Sequence, residues 1–262
     1  MLEAIGKNTL SLFKQIFEII SLLFRTLYWI FVGPFRRKPV SAKGFFAQTV
    51  FAGADSLIIV FFVDFFIGMV LAMQSAYQLQ QLRATIYVAA LVGVSMTREI
   101  GPVLTSLVIA GRVGAAITAE IATMKVTEQV EALETLSLNP VRYLIAPRFL
   151  ALIFMLPCLV ILGDLIGMYG GYVVGVFNLE LPGGLYIDTT IQFLTVKDIM
   201  TGLLKSVVFA AIIALIACYK GISTEGGAEG VGRSTTESVV TSFILIIIAD
   251  AILTAMFYFS GN

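Results

Sequence analysis

Long apolar runs separated by short polar interruptions set the pattern of this chain. A bilayer core demands about 20 apolar residues in helical form, because backbone polar groups cannot be left unpaired in lipid. Five stretches meet that demand, at about residues 51–75, 97–119, 148–177, 198–219 and 236–258. A sixth, NTLSLFKQIFEIISLLFRTLYWIFV at residues 8–32, is also long enough. Its polar residues Ser11, Lys14, Gln15, Glu18, Ser21 and Arg25 fall at spacings of three and four, one stripe of a helix. Charges inside a spanning helix cost about 2.5–3.5 kcal/mol each near its centre. The pattern therefore predicts an amphipathic helix lying in the interface, with a sixth span as the alternative, followed by the basic cluster Arg36-Arg37-Lys38. The apolar run ATIYVAALVGVSM at 84–96 is too short to cross and ends near Gly101-Pro102, which predicts a re-entrant half-helix closed by a break.

Small residues punctuate the spans. Gly163, Gly167, Gly171 and Gly175 recur every four residues, and Gly111, Ala115 and Ala119 repeat the device. Such strips let helices approach closely; they predict bundle packing and do not choose between monomer and dimer. Between the second and third spans runs AEIATMKVTEQVEALETLSLNPVRYLIAPR. Ile121, Met124, Val130, Leu133 and Leu136 recur mostly at three-residue steps, Lys125, Glu128, Glu131 and Glu134 take the other side, and Asn139-Pro140 stops the helix. An acidic amphipathic helix suits a protein groove better than the negative cytoplasmic leaflet.

Composition agrees with a membrane protein: the 262 residues are 58% hydrophobic and 13% charged, where soluble domains average about 25% charged. Formal net charge is zero, so no global field recruits nucleic acid. Histidine is absent, which removes the commonest general base and neutral metal ligand; no metal or cofactor is expected. Cys158 and Cys218 lie in apolar runs and read as small lipid-face or core residues. The first residues lack a short apolar core with a small-residue cleavage site, so no removable signal peptide is expected. With the N-terminus cytoplasmic, the inside segments carry Lys7, Lys14, Arg25, Arg36, Arg37, Lys38, Lys43, Lys125, Arg142, Arg148, Lys220 and Arg233, 12 of the 17 Lys and Arg residues. The positive-inside rule selects that topology and puts the C-terminus outside.

One motif suggests nucleotide. Gly227-x4-Gly232-Arg233-Ser234, within GGAEGVGRSTTES, is one residue away from the phosphate loop G-x-x-x-x-G-K-[ST]. That loop joins a strand to a helix in a soluble α/β core, and arginine does not replace its lysine. Here apolar membrane segments flank it, so the glycines are read as a cytoplasmic turn with Ser234 or Thr235 as N-cap of the last span. Any ATP is then bound by another chain.

The runs TREIGPVLTSLVIAGRVGAAITAEIATMKVTEQVEALETLSLNPVRYLIAPR, LLKSVVFA and GGAEGVGRSTTESVV resemble the MlaE (YrbE) permease family of MCE-type ABC transporters, from about residue 50 onward. The resemblance implies an all-α polytopic fold, with residues 1–48 as interfacial helix and basic linker and 49–262 as the permease domain. It implies a homodimer in the bacterial inner membrane that moves phospholipid between inner and outer membranes. The implied partners are a cytoplasmic ABC ATPase subunit, a periplasmic ring of MCE-domain proteins, and a small STAS-type regulatory subunit. Residues 120–140 then look like the coupling helix, with Glu120, Lys125, Glu128, Glu131 and Glu134 as its contacts. Two other classes stay open: an intramembrane lipid-modifying enzyme, and a lipid-binding scaffold without transport.

Intramembrane charges are functional candidates because their burial is expensive. Lys205 could pair with a lipid phosphate or snorkel to the outer interface. Arg98 and Glu99 could gate the cavity mouth or contact a headgroup, or neutralise each other and cap a helix start. Arg112 reads as structural, paired with Asp250 or Asp164. Asp55 and Asp64 are nine apart, roughly half a turn around a helix, and do not form a carboxylate pair. Phe66–Leu79 resembles the family's cavity-lining end of the first span, which makes Leu71 and Leu79 acyl-chain candidates.

Overall fold

The computed structural model describes residues 2–36 and 40–259. Among these the secondary structure is helical throughout, with no strand. The elements are α1 (Leu2–Phe31), α2 (Ala42–Ala52), α3 (Leu57–Gln81), α4 (Val88–Ser95), α5 (Gly101–Ile109), α6 (Ala115–Val126), α7 (Gln129–Thr135), α8 (Ala146–Phe177), α9 (Gly183–Phe193), α10 (Val196–Ile222) and α11 (Gly227–Phe259). Five helical runs are long and apolar enough to cross a membrane: Ala42–Gln81, Thr85–Val126, Val141–Phe177, Val196–Ile222 and Gly227–Phe257. The expected five spans are present and the all-α polytopic class holds. Helix α1 is not among the five, and its Lys14, Glu18 and Arg25 are the physical reason. Of the basic cluster that follows it, Arg37 and Lys38 lie outside the described residues.

The chain forms two compact units. One contains residues 113–152 and 211–242 with the N-terminal residues up to Thr49; the other contains 50–112, 153–210 and the chain from Phe243 onward. In the first, Tyr219 donates to Glu18 of α1 at 2.8 Å and Arg142 lies over the Trp29 ring. Thr118 donates to Ser238 at 2.8 Å, joining α6 to α11. In the second, the expected glycine strip does close-packing work. A Cβ at Gly68 would overlap the Gly167 carbonyl where α3 crosses α8, and a Cβ at Gly175 would overlap the Tyr186 ring.

Four local expectations are corrected. Residues 85–126 form one helical run, so the half-helix and the break at Gly101-Pro102 are absent. Proline removes a donor and crowds the carbonyl four residues back; here a π turn at Met96–Ile100 absorbs both effects, with the Gly101 N–H reaching the Met96 carbonyl. The 120–140 helix is not continuous: α6 ends at Val126, and Glu128 adopts a left-handed φ of 59° before α7 begins. Asn139-Pro140 starts a helix and does not stop one: α7 already ends at Thr135, and Asn139 Oδ1 accepts from Val141 N–H at 3.0 Å with Pro140 leading the turn. The glycine loop is mostly helix. The reversal is confined to residues around Gly226 and Gly227, both at positive φ, and Ser234 and Thr235 lie inside α11 rather than capping it. Of the cysteines, Cys218 is buried and Cys158 exposed.

Candidate functional site

The wall of α3 facing α5 carries Ile67, Val70, Leu71 and Gln74. Together with Glu99, Ile100, Val103, Leu104 and Asp250 these line an open cleft of about 490 Å³. One wall is apolar and one end is charged. Leu71 and Glu99 are therefore brought together, while Leu79 does not line this cleft and packs instead against the cluster of Ala72, Ala76, Val88, Val92, Met96 and Val174.

The charged end is lined by Glu99 of the π turn and Asp250 of α11, with one face of α10 packed behind them. Asp198, Gly202 and Lys205 stand four and three residues apart, one stripe of that helix. A Cβ at Gly202 would overlap the Thr97 carbonyl, so α10 lies directly on the π turn. Lys205 is 1% exposed. It donates to Glu99, donates to Thr254 at 2.7 Å, and sits 2.8 Å from Asp250 as an ion pair without hydrogen-bond alignment. Thr254 in turn donates to Glu99 at 3.1 Å. Lys205 does not snorkel: two carboxylates hold it inside.

Arg98 and Glu99 do not neutralise each other. The wide turn aims them apart, Glu99 toward Lys205 and Arg98 toward Asp198 at 3.6 Å, and Arg98 keeps 40% of its side chain exposed. Arg112 pairs with neither Asp250 nor Asp164. It donates to the Phe51 carbonyl at 3.1 Å and to Ser56 at 2.5 Å, with its guanidinium over the Phe51 ring. Asp250 and Thr254, one turn apart on α11, and Asp198 were missed as site residues. Asp198 could have been found from its spacing to Lys205; Asp250 shows only as an acid inside an apolar run, and Thr254 has no sequence signal.

A second constellation surrounds residues 120–140. Glu120 on α6 pairs with the buried Arg148 at 2.7 Å while keeping about half its side chain exposed. Lys125 donates to Glu131, fastening α6 to α7 across the left-handed Glu128. That hydrogen bond holds the Glu131 carboxyl below its ordinary value. Glu128, Glu134 and Leu136 are exposed, and Leu136, 70% so, leaves an apolar side chain beside the acidic ones.

Five crossing-length helices, an open cleft greasy on one side and charged at one end, and no cluster of metal-ligating side chains among the described residues define the class as a multi-pass, all-α membrane protein. Comparison with known proteins makes it more particular. The family model for permease MlaE matches residues 45–256. A probable ABC transporter permease protein of Rickettsia prowazekii is 44% identical over 254 residues, covering 97% of this chain and 96% of that one. A probable ABC transporter permease protein of Synechocystis is 40% identical over 224 residues, 85% of each chain. The intermembrane phospholipid transport system permease protein MlaE of Haemophilus influenzae is 36% identical over 264 residues, covering 99% of this chain and 98% of that one. The chain belongs to the MlaE permease family of ABC transporter permeases.

Proposed function

We propose that this chain is the membrane-spanning subunit of an ATP-driven transporter that moves phospholipid between the inner and outer membranes of a bacterium, with ATP hydrolysed by a separate cytoplasmic subunit. The observation that carries the reading is the cleft beside Leu71, whose apolar wall suits an acyl chain and whose charged end suits a headgroup. Its volume lies in the range of about 300–1,000 Å³ that takes drug-sized molecules. A whole diacyl lipid asks for more room, and a second copy of the chain would supply it. Helix α11 supports that: only 11% of its apolar window is buried within one chain, leaving Val240, Ile244, Ile247 and Ile248 for lipid or a partner copy.

Among the charged candidates, Arg98 is the more available cation, although it does not line the cleft and stands on the side of the π turn away from Glu99. Lys205 already faces two carboxylates, whereas Arg98 has one long ion pair and a half-open side chain. Leu79 then serves the cavity wall from behind rather than touching lipid. Glu120, Lys125, Glu128, Glu131 and Glu134 form the face offered to the ATPase, with α1 in the membrane interface, the N-terminus cytoplasmic and the C-terminus periplasmic. MCE-domain proteins and a STAS-type subunit complete the assembly.

Two measurements test this. A photo-crosslinking side chain at Leu71 should yield a phospholipid adduct by mass spectrometry. ATPase activity should copurify with the chain, respond to phospholipid, and vanish with the reversal E131K/E134K. ATP hydrolysis by the isolated chain, or an unaltered complex with that reversal, would overturn the reading.

A further inference from the structure

Asp64 on α3 and Asp164 on α8 belong to neither the cleft nor its charged end. Asp64 is fully buried and Asp164 is 7% exposed. One oxygen of each, Oδ1 in both, is buried without a hydrogen-bond partner. Glycines make the room they occupy: a Cβ at Gly163 would overlap Asp64 Oδ2, and one at Gly101 would overlap Asp164 Oδ1. Thr105, one turn beyond Gly101, donates its hydroxyl to Asp64 Oδ2 at 3.0 Å. The two carboxyls therefore reach from α3 and α8 onto one face of α5, Asp164 at Gly101 and Asp64 one turn further at Thr105.

No cation offsets them. Helices α3, α4 and α5 contain no other charged residue, and α8 contains only Arg148, which pairs with Glu120. The basic groups of the neighbouring elements are engaged elsewhere: Arg98 with Asp198, Lys205 with Glu99 and Asp250, Arg112 with Phe51 and Ser56. Among the described residues no ion pair includes either acid. Burying one unpaired carboxylate costs far more than a helix bundle can supply, so such a group neutralises instead. Two carboxylates sharing a site make the demand stronger, since like charges at close range do not both persist.

We infer that Asp64 and Asp164 form a proton-binding site inside the membrane-spanning bundle, holding at least one proton at neutral pH. The bound proton turns one acceptor-only carboxylate into a donor, which is what the two bare oxygens lack. The site lies one turn before Ile67, where the cleft wall begins, and beside the Gly68–Gly167 crossing of α3 and α8. Losing the proton would set two negative charges against each other at that crossing. The bound proton thus keeps negative charge out of the helix packing behind one wall of the cleft.

Infrared spectroscopy of the full chain in phospholipid nanodiscs tests this without any transport assay. The expected result is a carboxylic-acid C=O band at neutral pH, shifted by deuterium exchange, that is lost in D64N/D164N. Asparagine is neutral and nearly isosteric, so the double variant should keep its fold. If it does not, D64N and D164N are measured singly, and each should shift or remove the band. An identical acid-band region in wild type and variants would overturn the inference, because both acids would then be ionised. A band that is missing in sodium buffer and appears when choline replaces sodium would also overturn it, in favour of an alkali cation at the same oxygens.

Discussion

Replacing Lys205 by methionine removes the one cation that Glu99 and Asp250 share. Methionine keeps the length and apolar stem of lysine, so packing changes little and the loss is chiefly electrostatic. Removing one partner of a buried ion pair costs about 3–5 kcal/mol, because the remaining charge is left uncompensated. Glu99 and Asp250 retain 37% and 22% of their side-chain exposure, and water screens part of that charge. The lower end, about 3 kcal/mol, is therefore expected. At about 2–4 °C per kcal/mol for a chain of this size, the melting temperature should fall by roughly 6–12 °C. Differential scanning fluorimetry of the detergent-solubilised chain reads this directly. The argument also predicts a rescue. In K205M/E99Q/D250N no charge is left to compensate, Thr254 can still bond position 99, and more than half of the loss should return. A K205M variant that melts with the wild type, or a triple variant as unstable as the single one, would refute the reasoning.

Glycine substitutions should divide by location. Gly68→Ala drives a methyl into the Gly167 carbonyl and should destabilise by about 1–3 kcal/mol. Gly232→Ala meets nothing within 4 Å on a helix and should stabilise by about 0.5–1 kcal/mol. Thermal unfolding of the pair checks the contrast. Glu128→Gly relieves a left-handed backbone at a residue with a side chain and should stabilise by about 1–2 kcal/mol, read by the same assay. The hydrogen bond from Lys125 lowers the folded-state value of Glu131. Its contribution is therefore present above the unfolded value of 4.5 and lost as pH falls through the lower folded one. Proteolysis of the α6–α7 joint should become faster across that acidic window in the wild type, and E131Q should flatten the dependence.

Much of the candidate site was legible one residue at a time and illegible as a set. Lys205, Glu99 and Asp250 stand out individually because charge inside an apolar run is expensive wherever it occurs. Which of them meet depends on a π turn that separates the adjacent Arg98 and Glu99, and nothing in MTREI announces that turn against the proline that follows. Asp64 was weighed only against Asp55 on its own helix, since spacing along a helix is all that periodicity can measure. Its companion Asp164 lies one hundred residues later, where the glycine strip of α8 brings the two backbones together.

The sequence by itself determined the class of molecule, the number of crossing helices and the family. Each rests on the free energy of moving a segment into lipid or on long contiguous motifs, and both are additive along the chain. The tertiary structure alone decided which charges compensate one another, which glycines are turns and which are contact points, and where an acid pair is left without a cation. Those facts depend on distances between helices, and short-range chemistry at about 3 Å does not follow from one-dimensional spacing once a helix contains a π turn or a left-handed residue.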